Sequence, residues 1–180
     1  MTNLYISGYR TYELGVFTGK DPKIDVIKKA LKNEISQFIE SGVDWILTSG
    51  QLGVEQWAVE VVDELKEDYP EVKQAIVFPF LEFGSNWKEE SKTKLMELQQ
   101  MADYTESTSH QPYKDPSQLK NHQQFMLDHT DAALLVYDPE HEGKTSFVYQ
   151  AIQKKQEKTP YECRLIDFDQ LQNTIEFGME

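Results

Sequence analysis

Gly50 and Gly53 stand three residues apart between a short apolar run, Trp45–Ser49, and a helical stripe of Val54, Trp57, Ala58, Val61, Val62 and Leu65. Such a strand-to-helix corner lets backbone approach a ligand without Cβ interference. It also aims free N–H groups and the positive end of a helix dipole at the corner, which suits a phosphate or another anion. The spacing is Gly-x-x-Gly-x-Glu, not the dinucleotide Gly-x-Gly-x-x-Gly, and the glycines could equally shape a tight turn and nothing more. Gln51 lies inside the corner. Glu55 follows it and would repel a phosphate, so its chemistry is to accept hydrogen bonds from ribose hydroxyls or to orient a water. The helix dipole alone also favours an acid there.

Other candidate groups follow other apolar runs. Gly8, Tyr9 and Arg10 come after the first, and a planar guanidinium suits bidentate contact with phosphate or carboxylate, or an ion pair with one of many acids. Pro79 and Trp87 follow the third run and His110 the fourth. Tyr137, Gly143, Lys144 and Thr145 follow the fifth, where Thr145 or Ser146 could cap a helix whose N–H groups also bind an anion. Tyr9, Trp87 and Tyr137 are candidate stacking faces for a base. Trp57, on the apolar stripe, is read as packing. A full P-loop is absent. His110 and His122 have no metal-ligand spacing with each other or with Cys163, so no metal is expected.

These residues need elements to converge. Strand-like runs at Leu4–Ser7, Trp45–Ser49, Ala75–Phe80, Tyr104–Ser107, Ala132–Tyr137 and Cys163–Phe168 alternate with helical patterns near 22–41, 54–68, 86–102, 116–130 and 145–157. The alternation predicts an α/β fold, a three-layer Rossmann-like arrangement with a mostly parallel sheet and helices on both faces. In such a sheet ligands bind beyond the carboxyl ends of the strands, where the candidate groups fall. Residues 1–180 are read as one domain, with 169–180 a peripheral tail that forms a short helix or frays.

The chain has 31 acidic and 18 basic residues, a net charge of −13, which weighs against a nucleic-acid partner. One cysteine allows no internal disulfide. The sequence enters a strand-like segment at once and contains no membrane-length apolar run, so a cytoplasmic protein without membrane insertion is expected. A homo-oligomer is left open.

The motifs Ser7-Gly8-Tyr9-Arg10, Glu13-Leu14-Gly15-Val16-Phe17 and Trp45 to Glu55 resemble the YpsA family, a branch of the SLOG superfamily that also holds DprA and the LOG enzymes. The resemblance extends through Asn86-Trp87-Lys88-Glu89, His110-Gln111-Pro112-Tyr113 and Tyr137-Asp138-Pro139-Glu140. It implies a Rossmann-like fold and a pocket for a nucleotide-derived ligand such as NAD or ADP-ribose, with Gly53 and Glu55 in the site. It also implies a link to cell division and stress response, with division proteins as partners. The LOG-type Pro-Gly-Gly-x-Gly-Thr loop is reduced here to Glu142-Gly143-Lys144-Thr145, which argues against LOG-type phosphoribohydrolase chemistry. Three readings stay open. The protein is a ligand sensor, a hydrolase of N-glycosidic or phosphate-ester bonds with Glu55 as its only catalytic candidate, or an interaction module with a vestigial pocket.

Overall fold

The computed structural model describes residues 2–178. Strands and helices alternate as β1 (Thr2–Gly8), α1 (Pro22–Glu40), β2 (Val43–Thr48), α2 (Val54–Leu65), β3 (Lys73–Phe78), α3 (Glu89–Met101), β4 (Tyr104–Ser107), α4 (Ser117–Asp128), β5 (Ala132–Val136), α5 (Thr145–Gln156), β6 (Glu162–Ile166) and α6 (Phe168–Gly178). A 3-10 turn, Thr11–Leu14, follows β1 and was not expected. The tail is the helix α6, while Met179 and Glu180 lie outside the described residues.

Local chemistry accounts for the elements. The Asp21 side chain accepts the Lys23 N–H at 2.9 Å and Pro22 opens the first turn of α1, a favourable start for a helix. Ile24, Ile27, Leu31, Ile35 and Phe38 give that helix one buried stripe. β5 is buried along its whole length, as its unbroken Ala-Ala-Leu-Leu-Val requires of a strand covered on both faces. β4, by contrast, is short and mostly exposed, an edge strand.

All neighbouring strands pair in parallel, in the order β4-β3-β2-β1-β5-β6. The chain steps outward from β1 to β4, then returns to place β5 on the other side of β1. The direction therefore reverses between β1 and β5, the position where open α/β sheets hold ligands.

Right-handed crossovers put α1, α2 and α3 on one face and α4 and α5 on the other. α1 touches both α2 and α6, and α2 touches α3, so four helices share the first face. Only α4 and α5 cover the second. Tyr5 and Ser7, alternate residues of β1, point into the gap between them.

Candidate functional site

A cleft of about 540 Å³ occupies that gap at the carboxyl end of the sheet. Its floor holds Tyr5, Ser7, Glu55, His122 and Thr145, each less than 9% exposed and each polar. Arg10, Lys120 and Lys144 also line it. Among the described residues none of these three cations makes a salt bridge. Glu55 is the one carboxylate in the lining, on a chain with 31 acids. The cleft is thus locally cationic on an anionic body.

Glu55, His122 and Thr145 keep hydrogen-bonding capacity that the protein leaves unused. Glu55 Oε1 accepts the Ser49 N–H at 2.6 Å and the Ser49 hydroxyl, which pins the carboxylate to the end of β2. Oε2 makes no protein hydrogen bond and is not sealed in. Burial pushes the Glu55 carboxyl above the usual range, against the Ser49 hydrogen bonds and the nearby Arg10 charge. His122 donates its Nε2–H to the Val77 carbonyl at 2.7 Å, and burial holds its pKa down to about 4. The ring is therefore neutral at pH 7, and Nδ1 is an acceptor without a protein partner. Burial, and then the Glu55 charge, holds Tyr5 well above the ordinary phenol range, so its hydroxyl stays a donor. Thr145 Oγ1 is fully enclosed with no partner. Unpaired polar atoms inside a protein are rare and cost about 1–3 kcal/mol each. One such atom, Thr145 Oγ1, lies at this cleft, while the free atoms of Glu55 and His122 are not sealed in.

The lips of the cleft are joined by two side chains. Glu13 accepts the Arg10 N–H on Oε1 and the Lys144 N–H on Oε2, both at 2.8 Å. Tyr9 donates its hydroxyl to the His141 carbonyl at 2.6 Å and accepts the Asp138 N–H at 2.9 Å. Both bind the loop after β1 to the loop after β5. At α5 no side chain caps the helix, and the Thr145 N–H has no protein partner among the described residues.

The structure brings Arg10, Gln51, Glu55, Pro79, Lys144 and Thr145 to the cleft. It places the other candidates elsewhere. Tyr9 is 3% exposed and Tyr137 1%; their rings pack together at 5.7 Å and offer no stacking face. Gly53 serves a close approach of backbone to backbone. With φ at +105°, a Cβ there would lie 2.5 Å from the Tyr9 carbonyl oxygen and 2.8 Å from Arg10 Cα. The Val54 N–H, expected to face an anion, donates instead to Tyr9 O at 3.1 Å. Gly8 packs against Val54, Gly50 against Phe78, and Gly143 against Glu13. His110 is exposed and outside the cleft. Trp87 lines an adjoining hollow of about 590 Å³ with Phe80, Phe83 and Tyr113.

Sequence reasoning missed Tyr5, Ser7, Ser49, Glu13 and His122. A signal existed for two of them: Tyr5 and Ser7 share one side of a central strand, alternating with the aliphatic Leu4 and Ile6. His122, four residues after buried Gln118 and four before buried Met126, puts polar groups on the inward stripe of α4. Among the described residues no group of three or more His, Cys, Asp or Glu lies close enough to hold a metal ion. Cys163 is not an activated nucleophile, because burial and Glu162 push its thiol up to about 11.

A parallel sheet with a direction reversal beside β1 and a cationic, polar-floored cleft at its carboxyl end define a Rossmann-like protein with a site at the switch point. The family model YpsA, described as the YspA SLOG family, matches residues 4–171. UPF0398 proteins are similar over nearly their full lengths. That of Enterococcus faecalis is 52% identical over 172 residues, covering 96% of each chain, and that of Leuconostoc citreum 55% over 173, covering 96% of this chain and 92% of the relative. That of Ligilactobacillus salivarius is 48% identical over 178 residues, covering 99% and 97%. The chain belongs to the YpsA family of SLOG proteins.

Proposed function

We propose that the protein is a sensor or regulator that binds a nucleotide-derived ligand of the ADP-ribose or dinucleotide class in this cleft. The observation that carries the reading is the pairing, in one hollow, of acceptor atoms that no protein group uses with cations that make no salt bridge among the described residues. Glu55 Oε2 and His122 Nδ1 suit hydroxyl or amine donors, and Arg10 and Lys144 suit phosphate oxygens. At the phosphate end, the uncapped start of α5 adds the Thr145 N–H. The anion thus belongs at α5, since Gly53 is covered by the backbone of the first loop and Gly50 by Phe78 and Ile76. A link to cell division and stress response rests on the family resemblance.

A thermal-shift panel of NAD, ADP-ribose and simple nucleotides tests this. A specific binder at 100 times its Kd stabilises the fold by about 2.7 kcal/mol. Arg10→Ala removes a charged contact worth about 1.5–3 kcal/mol, so the same ligand should bind roughly ten- to a hundredfold more weakly. No response to any ligand from folded protein would refute the reading.

One observation favours catalysis as a second reading. A buried carboxyl with one free oxygen and a raised pKa is the form a general acid or base takes. Turnover of ADP-ribose that Glu55→Gln abolishes while binding survives would establish an enzyme.

A further inference from the structure

The helices that flank the cleft leave a longer groove between them. α4 and α5 both run away from the carboxyl edge of the sheet, but they do not pack on each other as α1 does on α2. One turn beyond the cleft a second hollow, of about 550 Å³, separates the same two helices. Leu127 follows Gln123 on the α4 bank there, and Ala151 follows Val148 on the α5 bank. From Lys144 to Lys158 the α5 bank spans about 21 Å, roughly four helical turns.

Two features set this groove apart. Its mouth carries an apolar side chain on each bank, Leu119 at 47% and Phe147 at 67% exposed, above a floor that is polar. Its rim is basic. α5 carries no acidic residue and α4 only its last, Asp128, which accepts a hydrogen bond from Gln124 at 2.7 Å. Lys120 and Lys144 flank the upper end and Lys154 and Lys158 the lower. Among the described residues none of these four makes a salt bridge, and every cation that does lies outside α4 and α5. Lys155 is spent on the Tyr161 ring, and Glu157 is the one carboxylate lining the lower hollow.

We infer that the groove docks an acidic amphipathic helix of a partner protein, laid as a third helix against α4 and α5. Its apolar stripe covers Leu119, Phe147 and Ala151, and its carboxylates meet the four lysines on the rim. The charge pattern selects this occupant. A body of charge −13 repels a long polyanion, and phosphates gain nothing from Leu119 and Phe147. A concave groove between helices also receives a helix in a way that it does not receive a flat bilayer. The docking does not depend on what the floor of the cleft binds.

Selection of a display library of helical peptides, each of about sixteen residues to match the groove, against the full chain tests this. Enriched peptides should carry apolar residues at i, i+3, i+4 and i+7 with Asp and Glu on the flanks. Measured by fluorescence anisotropy, their Kd should rise at least about tenfold with Phe147→Ala. The double variant Lys154→Glu, Lys158→Glu should weaken them as well, and added salt should lower the affinity of wild type. All three positions are exposed, so thermal unfolding of the variants should match wild type. No enrichment, enriched peptides without an acidic excess, or binding indifferent to these variants overturns the docking. So does a dimer in sedimentation velocity that Phe147→Ala dissociates, which assigns the groove to a second copy. Phosphatidylglycerol vesicles that bind where the peptides do not overturn it too, in favour of a membrane.

Discussion

At the scale of single residues, the floor of the cleft is bought with pH sensitivity. His122 is held neutral with a pKa of about 4, against 6.5 for the free side chain. The unfolded chain therefore takes up a proton as pH falls through 6.5, while the native protein resists until about 4. Stability is full above pH 6.5 and declines through that window, by an amount on the order of 3 kcal/mol. Urea unfolding at pH 7 and at pH 4.5 should show this loss in wild type and a clearly smaller one in His122→Asn. Equal losses would mean that His122 is not the group responsible. Glu55 works in the other direction. Its carboxyl is raised, so the native state holds a proton that the unfolded state releases, and its contribution to stability falls as pH rises above 4.5. The two groups face one cleft with opposite titration costs.

At the scale of elements, the corner between β2 and α2 is a joint before it is a binding loop. Gly53 carries φ +105° and admits the Tyr9–Thr11 backbone against its own Cα. Gly53→Ala should therefore destabilise the fold by about 1–3 kcal/mol, measured by denaturant unfolding without ligand. Unchanged stability in that variant would show that the close approach is not needed. Loss of function at Gly53 would then report on the joint. The strand and helix alternation was plain in the sequence, because buried parallel strands such as Ala132–Val136 read as unbroken apolar runs and helices as stripes. Arg10, Glu55 and Thr145 were legible as residues of the carboxyl edge, where they line the cleft, because Arg10 lies just past a strand and the other two open helices. Tyr9 and Tyr137 were misread, since a sequence shows that an aromatic ring follows a strand but not that two such rings face each other. Glu13 was invisible for a related reason. Its nearer partner, the Arg10 N–H, is local, but the Lys144 N–H lies 131 residues further along the chain, which no local pattern encodes.

At the scale of the whole molecule, a cationic hollow is set in a body of charge −13. An anionic ligand is repelled at a distance and attracted only near the mouth. Salt shortens the reach of the repulsion from about 30 Å at 0.01 M to about 10 Å at 0.1 M, while contacts within the partly buried cleft are screened far less. The association rate of ADP-ribose should therefore rise with added salt in stopped-flow measurements, the reverse of the usual behaviour of basic nucleotide-binding sites. A rate that falls with salt would show that the mouth cations govern the approach. The span joined by Glu13 and Tyr9 has a mechanical consequence as well. Because those two side chains lock the β1 and β5 loops to each other, that bank of the cleft is a fixed jaw. Any grip on a guest must come from the opposite bank, where α4 and the Phe80–Trp87 segment lean in, and hydrogen exchange that slows on loading should be concentrated there.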